Sequence, residues 1–206
     1  MTGGPTAASS QGLDLLRESG ALLEGHFLLS SGRHAGRYVQ CAKLFQDSLK
    51  ASRACDALGS HVREAVGDET PFDVVVGPAL GAVVMAYEMG RALGVRGIFA
   101  ERDAEHGFAL RRGFSIKPGE RVLVAEDVVT TGGSVRELLA ALSAMNPGSL
   151  AVASLVDRTG GKSPFGDCPF YSLVQLEIPS WEEQECPLCL EGTDPAVKPG
   201  SRPGLT

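Results

Sequence analysis

Residues 121–134 constrain the fold of this chain more than any other stretch. Four apolar residues, Val122, Leu123, Val124 and Ala125, lead into two adjacent acids, Glu126 and Asp127. Val128 and Val129 follow, then Thr130-Thr131-Gly132-Gly133-Ser134, then Val135, Leu138, Leu139 and Leu142 at helical spacing. A continuous apolar run bounded by a turn reads as a strand buried on both faces, so helices must cover both sides of its sheet. The turn offers backbone N–H groups, hydroxyls and a helix N-terminus to an anion, a phosphate above all. The two carboxylates can accept hydrogen bonds from sugar hydroxyls or face a hydrated cation.

The same rhythm recurs along the chain. Residues 72–78, 95–100, 122–129 and 150–156 read as short apolar strands, and residues 48–66, 81–93 and 134–145 as helices between them. Residues 13–23 have helical spacing, with Leu15, Leu16, Leu22 and Leu23 as core positions, and residues 27–32 and 38–41 read as short strands joined by a Gly- and Arg-rich turn. Residues 170–178 alternate as an edge strand does, residues 101–113 are polar and read as a mobile loop, and residues 1–11 read as disordered. Alternating strands and helices imply an α/β fold around a parallel sheet. Ligands of such sheets bind outside the strand carboxyl ends, so the loops after residues 77, 100, 126 and 156 are expected to converge on one site.

Composition narrows the function classes. A net charge of −6 with no basic stripe argues against a nucleic-acid surface. No apolar run approaches the roughly 20 residues a membrane helix needs, and the small, polar start has no signal-peptide pattern; the expectation is a cytoplasmic protein. Five cysteines in 206 residues, an odd number, do not suggest a disulfide framework. No Gly-x-x-x-x-Gly-Lys-Ser/Thr occurs, and no Gly-x-Gly-x-x-Gly follows a strand, which counts against nucleoside triphosphates and dinucleotides as ligands.

The 121–134 segment resembles the signature of type I phosphoribosyltransferases, enzymes that use phosphoribosyl pyrophosphate (PRPP). The acid pair, the two apolar residues, Thr-Thr-Gly and Gly-Ser all stand in register. Three further segments resemble orotate phosphoribosyltransferases. The first runs from Gly25 to Tyr38 and contains Phe27-Leu28-Leu29 and Ser31-Gly32-Arg33; the second is Gly77-Pro78-Ala79-Leu80-Gly81; the third is Ser154-Leu155-Val156-Asp157-Arg158. The resemblance covers most of residues 13–178. It implies a type I phosphoribosyltransferase-like parallel sheet with helices on both faces and a small N-terminal hood. It implies one catalytic domain over residues 12–180, with the hood at about 20–45 and the core at about 48–178, followed by a C-terminal extension over 181–206.

The resemblance also implies a reaction: transfer of ribose 5-phosphate from PRPP to a ring nitrogen of orotate, giving orotidine 5'-monophosphate and pyrophosphate in pyrimidine biosynthesis. Thr130, Thr131, Gly132, Gly133 and Ser134, with Val128 and Val129, would bind the 5-phosphate side of PRPP. Glu126 and Asp127 would take the ribose hydroxyls and a hydrated Mg2+, with no direct protein ligand to the metal. Ala79, Leu80 and Gly81 would present backbone to the pyrophosphate. Arg158, with Thr130, would hold orotate, a planar anion whose carboxylate suits a guanidinium fork; taken as a residue alone, Arg158 also reads as a surface arginine after a strand. Tyr38 either covers the ring face, offers backbone polar groups to the ring edge, or fills the core. A homodimer is implied, with the 101–113 loop reaching the partner's site.

Two features depart from the family pattern. The 101–113 stretch contains no lysine, where members often carry a catalytic one, so Arg102, His106, Arg111 and Arg112 are the remaining cationic candidates for the pyrophosphate. Arg102 and His106 also read as parts of a solvated loop. Ser30 stands where many members have lysine. Two rivals stay open: a purine phosphoribosyltransferase, against which Arg158 counts, and a non-catalytic PRPP-binding regulator, which the lysine-free stretch favours. Near the C-terminus, Cys186-Pro187-Leu188-Cys189 is a solitary Cys-x-x-Cys. It admits an inert turn, half of a zinc site completed by Cys41, Cys55, Cys168, a histidine or a partner chain, or a redox pair.

Overall fold

The computed structural model describes residues 7–103, 107–192 and 194–199. Its centre is a six-stranded sheet built from β3 (Val74–Pro78), β4 (Arg96–Arg102), β5 (Phe108–Leu110), β6 (Arg121–Val129), β7 (Ser149–Asp157) and β8 (Phe170–Gln175). The order is β5-β4-β3-β6-β7-β8, parallel except for the β4–β5 pair. Strand alternation sends Val75, Leu123, Ala125, Ala151 and Ala153 to one face, and Val74, Val76, Val122, Val124 and Val152 to the other. Helices α1 (Ala7–Glu18), α3 (Ser48–Val66) and α4 (Val83–Leu93) cover the first face through Leu15, Leu16, Leu58, Val62, Met85 and Met89. Helix α5 (Gly133–Ser143) covers the second through Val135, Leu138 and Leu142.

Local chemistry sets the helix ends. Asp47 caps α3 by accepting hydrogen bonds from the N–H groups of Leu49 and Lys50 at 3.1 and 3.2 Å. Gly67 and Gly94 end α3 and α4 in the left-handed region. Between α4 and β4 the backbones touch: a Cβ on Gly90 would lie 2.8 Å from the Gly97 nitrogen, and one on Gly97 would lie 2.5 Å from the Ala86 carbonyl oxygen. Only glycine at both positions lets the helix lie this close to the sheet.

A second sheet, β1-β2-β9, is antiparallel. It joins the N-terminal hairpin, β1 (Leu22–Leu28) and β2 (His34–Val39), to the short strand β9 (Ser180–Trp181). Arg33 at the hairpin turn donates to Ser180 Oγ at 3.0 Å and pairs with Glu182. The boundary read after residue 180 therefore falls inside β9, which is the third strand of the hood. After β9 come a 3-10 turn (Glu183–Glu185) and α6 (Pro187–Leu190); a four-residue helix, α2 (Ala42–Phe45), links β2 to α3.

Four sequence expectations change. The hood strands read at 27–32 and 38–41 lie at 22–28 and 34–39, with the turn between them at 29–33. Helix α1 starts at Ala7, so residues 7–11 are helical rather than disordered, and residues 1–6 lie outside the described part. Leu15 and Leu16 are buried, but Leu22 and Leu23 belong to β1 and are half-exposed. The helical pattern runs on past Glu18 because two leucines happen to continue its spacing; Gly20, at φ 65°, turns the chain instead. The stretch read as a mobile loop is a hairpin. β5 pairs with β4, Ala100 opposite Leu110 and Arg102 opposite Phe108; residues 104–106 lie outside the described residues.

Candidate active site

Parallel order brings the carboxyl ends of β3, β6 and β7 together. The strand order reverses between β3 and β6, since β4 lies on one side of β3 and β6 on the other; such a reversal opens a crevice at the strand ends. Two adjoining cavities occupy this edge. The first, about 320 Å³, is lined by Glu126, Val128 to Val135 and Glu137. The second, about 590 Å³, is lined by Leu29, Ser30, Ser31, Tyr38 to Cys41, Asp127, Val128, Thr130, Thr131, Arg158 and Ser180. Val128, Thr130 and Thr131 are common to both. Alternation along β6 divides the acid pair, Glu126 lining the first cavity and Asp127 the second.

The first cavity is built by the turn that starts α5. Gly132 sits at φ 72°, and a Cβ there would meet Pro164 and Phe165 at 2.7 Å. No side chain caps α5, so its first N–H groups are left for the cavity. Arg136 donates to the Thr131 carbonyl oxygen at 2.6 Å and holds the turn from the solvent side.

Electrostatically the floor is an unbalanced acid pair. Glu126 is held well above the usual carboxylate range by burial and then by the neighbouring charge of Asp127; Asp127 is raised too, chiefly by burial. Among the described residues no arginine or lysine forms a salt bridge with either. Asp127 Oδ1 accepts the Val128 N–H at 2.8 Å. The site thus lacks positive charge where it has most negative charge, and the chemistry of the donors fits a hydrated hard cation and sugar hydroxyls.

The second cavity has the opposite imbalance. Arg158 leaves β7 with its N–H bonded to the Val129 carbonyl oxygen at 2.8 Å. Its guanidinium is half-buried, and its Nε is fully buried without a hydrogen-bond partner. Among the described residues no carboxylate pairs with it. Burial lowers its pKa, an effect that an anionic ligand would reverse. Tyr38 lies on the same wall, half-buried, 5.9 Å from the Phe27 ring centroid. Burial, and next the charge of Asp127, raise its hydroxyl pKa.

The remaining sequence candidates are distributed as follows. The Ala79–Leu80–Gly81 turn follows β3 at the same sheet edge but lines neither cavity; its Ala79–Leu80 peptide is cis. Arg102, at the end of β4, pairs with Glu137, which lines the first cavity, and its guanidinium lies 4.3 Å from the Phe108 ring centroid. Arg112 pairs with Glu101 at 2.6 Å. His106 lies outside the described residues. Cys186 and Cys189 are elsewhere, clustered with His26 and His34 of the hood, and none of these four lines either cavity. The sequence reading did not single out Gln40, Ser180 or Glu137. Ser180 carries no motif, and only β9 pairing brings it across from residue 35.

Comparisons with known proteins agree with this geometry. The family model described as phosphoribosyl transferase domain matches residues 45–190. An orotate phosphoribosyltransferase of Heliobacterium modesticaldum is 54% identical over 196 residues, covering 95% of this chain and 99% of that protein. The crystal structure of orotate phosphoribosyltransferase from Aeropyrum pernix superimposes with a TM-score of 0.64 at 27% identity, covering 79% of this chain and 92% of that one. The Mycobacterium tuberculosis orotate phosphoribosyltransferase, solved with inorganic phosphate, gives 0.61 at 27% identity, covering 82% and 95%. On its sequence, its fold and its near relatives alike, the chain belongs to the orotate phosphoribosyltransferase family of phosphoribosyltransferases.

Proposed function

We propose that this protein transfers the 5-phosphoribosyl group of PRPP to the ring nitrogen of orotate, forming orotidine 5'-monophosphate and releasing pyrophosphate. The observation that carries the reading is the unpaired, half-buried guanidinium of Arg158. It shares one cavity with Asp127, Thr130 and Tyr38, and that cavity opens into the turn that begins α5. A planar ring with a carboxylate supplies the missing partner for Arg158. An uncharged purine does not, which disfavours a purine substrate.

In this reading, Thr130 to Ser134 hold the 5-phosphate through N–H groups and hydroxyls at the start of α5. Glu126 and Asp127 hold the ribose hydroxyls and the shell of a hydrated Mg2+, whose charge would favour the ionised form of Glu126. Mg2+, when bound, neutralises charge on the departing pyrophosphate. The C–N transfer passes through an oxocarbenium-like state, so the protein needs no covalent nucleophile. Its residues have three tasks: to stabilise the departing negative charge, to keep orotate in line, and to exclude water. Ala79 to Gly81 present backbone to pyrophosphate. Arg102 and His106 supply positive charge in place of a lysine, Arg102 by exchanging Glu137 for pyrophosphate. Tyr38 covers the orotate ring.

We also infer one catalytic domain over about residues 12–180, its hood completed by β9 across that boundary, a homodimer and a cytoplasmic location. The dimer is supported by family membership and by apolar residues left exposed at the start of α4: Leu80, Val84 and Tyr87 are 89%, 48% and 67% exposed. No helix among the described residues is long and apolar enough to cross a membrane.

The test is loss of orotate ultraviolet absorbance with purified protein, PRPP and Mg2+, run beside adenine, hypoxanthine and uracil. Consumption of orotate alone, dependent on both PRPP and Mg2+, is the expected result. Consumption of a purine instead, or of no base while PRPP still binds, refutes the assignment.

A further inference from the structure

Away from the active site, four ligand-bearing side chains converge. Nε2 of His26, Nδ1 of His34 and the Sγ atoms of Cys186 and Cys189 all lie within 4.8 Å of one another. The two imidazole nitrogens are 2.8 Å apart. Cys186 Sγ and Cys189 Sγ are each 3.6 Å from His26 Nε2, and Cys189 Sγ is 3.3 Å from His34 Nδ1. A tetrahedral zinc with Zn–S near 2.3 Å and Zn–N near 2.0–2.1 Å holds its ligand atoms roughly 3.3–3.8 Å apart. Three of the four sulfur–nitrogen distances meet that range; the two histidines need to part by about half an ångström, and the widest separation, up to 4.8 Å, needs to close.

The backbone places these groups deliberately. Residues 25 and 26 form a bulge, since Glu24 pairs with Arg37 and Phe27 with Ala35, and the bulge re-aims His26 toward the start of β2, where His34 stands. Cys186 is the residue that starts α6, and Cys189 lies one turn along, so both sulfurs share a helix face. Cys186 is fully buried and His34 is 7% exposed. His26 Nδ1 lies 2.9 Å from the Asp194 carbonyl oxygen. An N–H there donates to that oxygen and leaves the Nε2 lone pair facing the cluster, as the outer partner of a metal-bound histidine does.

We propose that His26, His34, Cys186 and Cys189 bind one Zn2+ as a closed structural site that clamps the C-terminal extension onto the hood. Two thiolates and two neutral imidazoles suit a borderline-soft ion and not Mg2+, which takes oxygen ligands. Full protein coordination leaves no open position, so the site does no chemistry of its own. Its effect is mechanical. The hairpin of the hood supplies Leu29, Ser30, Ser31 and Tyr38 to the second cavity, β9 supplies Ser180, and the metal joins the hairpin to the segment that follows β9. Main-chain bonds from Leu28 N to Val197 O and from Val197 N to His26 O, both 2.9 Å, hold the end of the described extension to the same strand.

The test uses full-length protein carrying no histidine tag, produced in zinc-supplemented medium and desalted, with metal measured by inductively coupled plasma mass spectrometry. The expected content is about one zinc per chain. It is lost in the Cys186→Ser/Cys189→Ser double variant and kept in Cys168→Ser, whose thiol is outside the cluster. A second measurement needs no variant: blocking the wild-type thiols with an organomercurial should release the zinc to a chromogenic chelator in step with two cysteines. Cobalt-substituted protein should show tetrahedral d–d bands and thiolate-to-cobalt charge transfer. Wild-type protein without bound metal, metal retained by the double variant, or a Cys186–Cys189 disulfide in protein isolated under reducing conditions would each overturn the proposal.

Discussion

Replacing Arg158 by alanine tests the orotate assignment most directly. Its guanidinium faces the second cavity with no carboxylate partner among the described residues, and its Nε is buried and unbonded. Orotate binding would satisfy it; removing it leaves the substrate carboxylate in a partly enclosed site without a counter-charge. Truncating one side of such a charged, hydrogen-bonded pair costs about 2–5 kcal/mol. Arg158 is only half-buried, so water re-entering the space softens the loss. The expected fall in kcat/KM for orotate is therefore about 30- to 300-fold, taken from the lower half of that range. Arg158→Lys should recover little, because an ammonium cannot grip a carboxylate through two parallel N–H groups. Stability should barely change, since the side chain gives up no protein partner; a Tm shift within about 2 °C is expected. The assay is the initial rate of orotate consumption at saturating PRPP, with KM for PRPP measured in parallel. Undiminished kcat/KM for orotate in a folded Arg158→Ala protein would refute the reasoning, as would an equal loss in the KM for PRPP.

Other predictions rest on separate observations. Glu126 has a raised pKa, so the folded, unliganded protein holds more protons than the unfolded chain, and its stability falls as pH rises above the ordinary glutamate value of about 4.3. Thermal shifts should show wild type losing ground to Glu126→Gln from about pH 5 upward, toward the raised value of about 9, with PRPP and Mg2+ closing the gap; a gap that widens on acidification instead contradicts the burial argument. Gly132→Val forces a β-branched residue into φ 72° and against Pro164 and Phe165. Urea unfolding should lose about 1–3 kcal/mol, and KM for PRPP should rise. Leu123→Ala, fully buried in the central strand, should cost about 2–5 kcal/mol while leaving kcat unchanged well below the unfolding transition. A wild-type denaturation midpoint in that variant would mean that the core around β6 repacks.

Much of the candidate site was legible because its information is local. The strand, the acid pair, the Thr- and Gly-rich turn and the start of α5 are consecutive in sequence, and their order alone specifies strand, carboxyl end and helix N-terminus. The apolar strands similarly announced a sheet covered on both faces, and the bounds read for α3 from residues 48–66 match the helix itself. Where local pattern misled, a neighbour in space decided the outcome. Residues 101–113 look like a loop because β5 is three residues long, and it becomes a strand only by pairing with β4. Leu22 and Leu23 continue a helical period but are drawn into a sheet with β2.

The histidine–cysteine cluster marks the limit most clearly. Cys186 and Cys189 announce themselves by spacing, whereas His26 and His34 carry no spacing signal and stand about 150 residues away in sequence. Only a bulge in β1 and the pairing of β9 with β2 bring them to the sulfurs. Sequence by itself determined the sheet, its buried strands and the chemistry of one turn, because hydrophobic period and turn residues act over a few neighbours. Tertiary structure alone decided which distant groups share a cavity or a ligand sphere, since that depends on strand order and register, which no local spacing encodes.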